Sequence, residues 1–227
     1  MEWQRFLEVF ANPAIFRTYG PNIAAGAVVT LQVAAAVIVT GIALGLALAS
    51  VRVYRIRALN LLIVGFVDIF RALPPLVVIL LAFFGLPNAG LSLSAFVVLW
   101  LVLSLVLAAF AEEIFWAGLL SVPKGQWEAA RSTGLGFTQA YVYVVLPQAL
   151  RIAVPPTVGF LVQVIKGTAL ASVIGFVELT KAGSMISNAT YKPFLVYACV
   201  ALLYFVLCFP VSLVAQSLER KLHGHRR

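Results

Sequence analysis

Residues 72–111 contain no Lys, Arg, Asp or Glu over 40 positions, and residues 23–51 contain none over 29. A helix that spans a bilayer needs about 20 apolar residues, so both runs are long enough to cross one. Pro87-Asn88-Ala89-Gly90 divides the longer run with turn chemistry. Composition agrees: 63% hydrophobic residues, 11% charged residues and a mean hydropathy of +1.04 leave too little polar surface to wet a soluble core of 227 residues. The expected fold is therefore all-α integral membrane, with five transmembrane helices at about 22–51, 58–86, 91–118, 146–177 and 194–218.

Basic residues orient these spans. Arg52, Arg55 and Arg57 lie between spans one and two; Lys124, Arg131 and Arg151 lie in or beside the loop at 119–147; Arg220, Lys221, Arg226 and Arg227 close the chain. With five spans, all of these fall on one side, and the other side receives Arg5, Arg17, Lys181 and Lys192. The positive-inside rule then predicts an outer N-terminus and a cytoplasmic C-terminus. This bias, together with membrane lipid headgroups, accounts for the net charge of +8, and no nucleic-acid partner is implied. Residues 1–21, with Trp3, Phe6, Leu7, Phe10 and Phe16 among charges, read as an amphipathic segment on the outer surface. Residues 22–218 form the transmembrane domain, and 219–227 form a basic cytoplasmic tail.

Between spans three and four lies EAARSTGLGFTQAYVYVVLP, at 128–147. Glu128 suits the positive end of a helix dipole, Ala129 and Ala130 are strong helix formers with small surfaces, and Gly134 suits a left-handed helix end. The product is a short helix outside the membrane, with an alanine face that a grooved partner can approach closely. The spacing of Glu128, Ala129, Ala130, Gly134, Leu146 and Pro147 resembles the E-A-A-x3-G-x9-I-x-L-P loop of membrane subunits of ABC importers, with Val144 in place of Ile.

The likeness narrows over residues 121–156, which resemble the polar amino acid permeases of ABC uptake systems, the histidine, glutamine and arginine type. The run S-V-P-x-G-Q-x-E-A-A and the run L-P-Q-A-L-R-x-x-x-P-P are both present. Further matches are Asp68, Arg71 and Pro74 in DIFRALPP, Glu113-Ile114, the KGTAL that starts at Lys166, and VELT around Glu178. The resemblance implies a type I importer permease in a bacterial cytoplasmic (inner) membrane, with a cytoplasmic coupling helix between the third and fourth spans. It also implies a second permease subunit, identical or related, two cytoplasmic ATPase subunits, and an extracytoplasmic solute-binding protein that delivers an amino acid. No phosphate loop occurs here, so ATP and magnesium belong to the partner ATPase, and this chain is a transport subunit with no catalytic residues of its own. The chain departs from the pattern at Gly167 for Asp, Gly159 for Asn, Trp116 for Arg, Val78 for Gln and Phe110 for Tyr. By that resemblance, loss of the acid at 167 argues against a cationic cargo, or else the departures mark this copy as the non-binding half of a heterodimer.

Charges inside spans are costly and normally face protein or water. Asp68 and Arg71 share a helix face; they form either an internal ion pair or a polar element of the substrate path beside Pro74-Pro75, whose missing amides free backbone groups. Lys166 and Glu178, in the outer part of span four, are either structural or line that path together with Gly167 and Thr168. Gly41 and Gly45 read as a helix-packing motif within the chain. Cys199 and Cys208 are roughly 13 Å apart along a helix at 1.5 Å per residue, too far for a disulfide. His223 and His225 lack further ligands, and no metal site is expected. A competing reading, an ion-coupled secondary transporter or channel subunit, would use the same intramembrane charges, but no inverted repeat is evident.

Overall fold

The computed structural model describes residues 13–223, and every regular element among them is helical. The helices are α1 (Pro13–Arg52), α2 (Arg57–Ala72), α3 (Pro75–Leu80), α4 (Ala95–Leu120), α5 (Lys124–Ser132), α6 (Phe137–Ala140), α7 (Leu146–Gly167), α8 (Leu179–Thr190) and α9 (Pro193–His223). Within the described residues, four helical segments are long and apolar enough to cross a membrane, and a fifth results if α2 and the broken helix after it count as one span. Residues 1–12 of the expected amphipathic segment and 224–227 of the tail lie outside the described residues. From Pro13 onward the segment continues without a break into the first span.

Prolines set the interruptions. The span expected at 58–86 is not one helix, because Leu73 precedes Pro74 and is held extended (φ −85°, ψ 135°). Helix α3 then restarts on Pro75, whose missing amide costs nothing at a first helical position. Two π-helical turns, Leu81–Gly85 and Tyr141–Val145, each end two residues before a proline, Pro87 and Pro147. Widening the turn accommodates a ring that would otherwise collide with the carbonyl four residues earlier. The fourth span is consequently helical from Phe137, nine residues ahead of its expected start, through the 3₁₀ turn Thr168–Ile174.

The chain packs as two compact units. The first comprises Met1–Val37, Pro75–Leu103 and Gln163–Pro210. In it α1 lies so close to α8 that a Cβ at Gly26 would sit 3.0 Å from the Ala182 Cβ, and Ile23, Leu179, Ile186, Val196 and Val200 form a buried apolar cluster. The second comprises Ile38–Pro74, Ser104–Val162 and Val211–Arg227. Here Gly41 and Gly45 carry α1 against α4, as the sequence motif predicts: a Cβ at Gly45 would stand 2.6 Å from the Ala111 Cβ and 2.8 Å from the Ala108 carbonyl oxygen. Lipid tails are as apolar as Leu, so such helices associate through close packing and interhelical hydrogen bonds, the latter averaging about 0.6 kcal/mol. The Thr40 and Ser104 hydroxyls supply one at 2.6 Å.

Candidate functional site

The loop after α4 builds a short exposed helix. Pro123, with φ −56° and ψ 139°, starts α5 at Lys124, so Glu128 sits at mid-helix and not at the positive end expected for it. Its carbonyl accepts a hydrogen bond from the Ser132 hydroxyl at 2.9 Å. Gly134 ends the turn at φ +89°, the left-handed conformation expected there, which a side chain would strain. Gly136 then opens the next helix, its N–H donating to Gln139 Oε1 at 2.9 Å.

The two alanines divide between faces. Ala130 is buried, 7% exposed, on the side of α5 that turns toward its own chain, whereas Glu128, Ala129 and Arg131 are exposed. The small face open to a partner is therefore that of Ala129, a correction to the expectation that both alanines present one docking surface. Half-buried Trp127 anchors the helix by stacking on Phe137 at 5.2 Å and Tyr141 at 6.4 Å between ring centroids. The Tyr141 hydroxyl donates to Ser50 Oγ on α1 at 2.7 Å, tying the loop to the first span. Leu146 packs against the cluster formed by Tyr141, Val145 and Ala149, and Pro147 is exposed in the first turn of α7.

A second constellation joins α1, α2 and α4. Arg52 bonds Glu112 at 3.0 Å and lies 3.6 Å from Glu113, which in turn pairs with Arg71 at 3.2 Å. The Arg52 guanidinium also stacks on Trp116, 4.4 Å from the ring centroid, so this departure from the family pattern supplies a cation–π partner. The Arg71 guanidinium lies 5.6 Å from the Phe110 ring, which stacks on Phe160 at 4.6 Å. Of the two readings of Asp68 and Arg71, the ion pair does not form: Arg71 reaches across to α4, and among the described residues exposed Asp68 makes no ion pair. Pro74 is exposed at the break after α2. Arg52 is thus bonded inward, while Arg55 and Arg57, between α1 and α2 and at the start of α2, make no ion pair among the described residues.

The remaining candidates lie in the first unit. Glu178 is not in the fourth span but caps α8, its carboxylate accepting from the amides of Thr180 and Lys181, both at 2.8 Å, and from the Tyr204 hydroxyl at 2.9 Å. The two amides lie two and three residues after Glu178 in sequence, whereas Tyr204 is 26 residues away. Thr168 is buried with its hydroxyl on the Ile165 carbonyl at 2.8 Å. Lys166 is exposed, and a Cβ at Gly167 would meet only Leu103 Cδ2, at 3.9 Å. The surface-facing candidates of this unit are therefore Lys166 and Gly167.

Residues 41–224 match the family model described as "Binding-protein-dependent transport system inner membrane component". The chain is 37% identical to the probable glutamine ABC transporter permease protein GlnM of Bacillus subtilis (strain 168), over 79% of this chain and 83% of that protein. It also resembles a solved structure described as an amino acid ABC transporter with histidines, at a TM-score of 0.84 and 32% identity, covering 91% of this chain and 96% of the other. An inward-facing MetNI methionine ABC transporter shares the fold at a TM-score of 0.65 and 21% identity, covering 94% and 99% of the two chains.

Proposed function

The chain belongs to the binding-protein-dependent transport system inner membrane components and is a multi-pass permease subunit of an ABC importer; from that premise we propose that it carries a neutral or acidic polar amino acid and is driven through α5 by a separate ATPase. The observation that carries the coupling role is an exposed helix on which Ala129 and Glu128 face outward, closed by a glycine in the left-handed conformation. A second permease subunit, two cytoplasmic ATPases holding ATP and magnesium, and an extracytoplasmic solute-binding protein complete the assembly. Closure of the ATPases on ATP would move α5 as a lever and rock the spans between inward- and outward-facing states.

Two features of the first unit argue against a cationic cargo. Gly167 offers no carboxylate, and the Glu178 carboxylate is fully buried and already accepts three hydrogen bonds, so neither position supplies a counter-charge for a cationic side chain. Uptake by liposomes containing this chain, its ATPase and its solute-binding protein tests the reading directly. Unlabelled glutamine is expected to compete, and arginine or lysine to compete weakly. Transport without any ATPase would overturn the assignment of the driving subunit, and strong competition by arginine alone would overturn that of the cargo.

The basic residues support an outer N-terminus and cytoplasmic C-terminus. Gly125 and Asn188 are both exposed, and a Cβ at Gly125 meets nothing within 4 Å. After replacement of the free thiols Cys199 and Cys208, a cysteine at Asn188 is expected to react with an impermeant thiol reagent in intact cells, and one at Gly125 to be protected. Labelling at Gly125 alone would invert the orientation.

A further inference from the structure

Where α1 and α4 end, the second unit holds an open groove of about 560 Å³. Val53, Leu119 and Val122 are buried at its base, while Leu120 is 64% exposed at its edge. One wall is aromatic and braced: the Tyr54 ring meets Phe137 at 5.6 Å, Phe137 stacks on Trp127, and the Tyr54 hydroxyl lies 3.3 Å from Thr138 Oγ1. The polar lining is Arg55, Lys124 and Arg131 against a single carboxylate, Glu128. None of these three cations makes an ion pair among the described residues, so the groove carries uncompensated positive charge.

Arg55 is held at φ +55°, with its amide donating to the Arg52 carbonyl at 3.1 Å. Glycine adopts that conformation without steric cost, whereas a side chain there is strained and persists where the surroundings or a ligand require it. Arg55 thus places a cationic side chain on the rim of the groove at a cost in backbone strain.

We propose that this groove seats the headgroup of an anionic phospholipid, with the phosphate between Arg55, Lys124 and Arg131 and the acyl chains running over Leu120. The groove lies at the ends of two membrane helices, where headgroups are present at high local concentration. It pairs aromatic side chains with unpaired cations, the combination that suits the interfacial layer. Inorganic phosphate shares the headgroup's charge but has no use for the apolar edge.

The full-length chain, reconstituted in phosphatidylcholine nanodiscs with increasing phosphatidylglycerol, tests this by native mass spectrometry of retained lipid. Phosphatidylglycerol is expected to be retained in preference to phosphatidylcholine. Arg55→Gly and Lys124→Gln are each expected to weaken that retention about fivefold, the effect of losing one cation near an anionic surface. Arg55→Gly also removes the backbone strain, so its thermal midpoint in phosphatidylcholine alone is expected to match or exceed that of the native chain, which separates lost binding from lost folding. Equal retention of both lipids by the native chain, or native retention by both variants, would overturn the proposal. So would displacement of phosphatidylglycerol by inorganic phosphate. Unchanged lipid retention with loss of ATPase capture in Arg55→Gly would reassign the groove to an acidic segment of the ATPase. Failure of the lipid arm leaves the importer reading untouched, because ATPase-dependent uptake is measured separately.

Discussion

Ala129→Arg is expected to abolish ATPase-driven uptake while the protein still inserts and accumulates normally. Ala129 is exposed on α5 beside Glu128, and no intramembrane contact depends on it. An arginine there places a long charged side chain where the proposed docking surface is smallest. Each 1.4 kcal/mol lost from docking lowers affinity about tenfold, and a misplaced interfacial charge costs several kcal/mol. Capture of the ATPase and substrate-stimulated ATP hydrolysis are therefore expected to fall together with uptake, by at least about tenfold. The neighbouring Ala130→Arg is a poorer probe, because Ala130 is buried and a charge there would disturb folding first. Normal uptake by well-expressed Ala129→Arg would remove α5 from the coupling role.

Arg52→Met is expected to destabilise the purified protein by about 3–5 kcal/mol, the cost of leaving a buried partner charge uncompensated. The Arg52 side chain is 17% exposed, and that of Glu112 is fully buried at 3.0 Å from it. Glu113 is less affected, since it is 40% exposed and keeps Arg71 at 3.2 Å. The double variant Arg52→Met/Glu112→Leu is expected to recover most of the loss, because a buried pair replaced by apolar side chains of similar volume is often neutral or stabilising. Thermal unfolding in detergent of the native chain, both single variants and the double variant forms the required cycle. Additive losses would show that the two side chains are not coupled, and an unaltered midpoint for Arg52→Met would show that the pair contributes nothing to α1–α4 association.

Several features were legible because their causes are local. Charge-free runs longer than a bilayer must be membrane helices, Gly134 takes the left-handed turn that only glycine takes freely, and Gly41 and Gly45 mark a face where a neighbouring helix can come close. The E-A-A loop and its spacing carried the family relationship without any coordinates. Prolines 74 and 75 free backbone groups, but the full break between α2 and α3, and the π-turns ahead of Pro87 and Pro147, emerge only from how the folded chain accommodates each ring.

By itself the sequence determined the membrane class, the approximate spans, the exposed coupling-type helix and the family, since each depends on residues near one another in the chain. The tertiary structure alone decided which groups meet. Spacing put Asp68 beside Arg71 on α2, yet Arg71 bonds Glu113 on α4, because an oppositely charged side chain on a packed neighbour is closer than one whose own helix turns it outward. Ala129 and Ala130 are chemically identical, and only the seating of Trp127 against Phe137 and Tyr141 sets which of them faces a partner. Glu178 is a helix cap and not a free acid in a span, because Tyr204, distant in sequence, completes its hydrogen bonding within the packed unit.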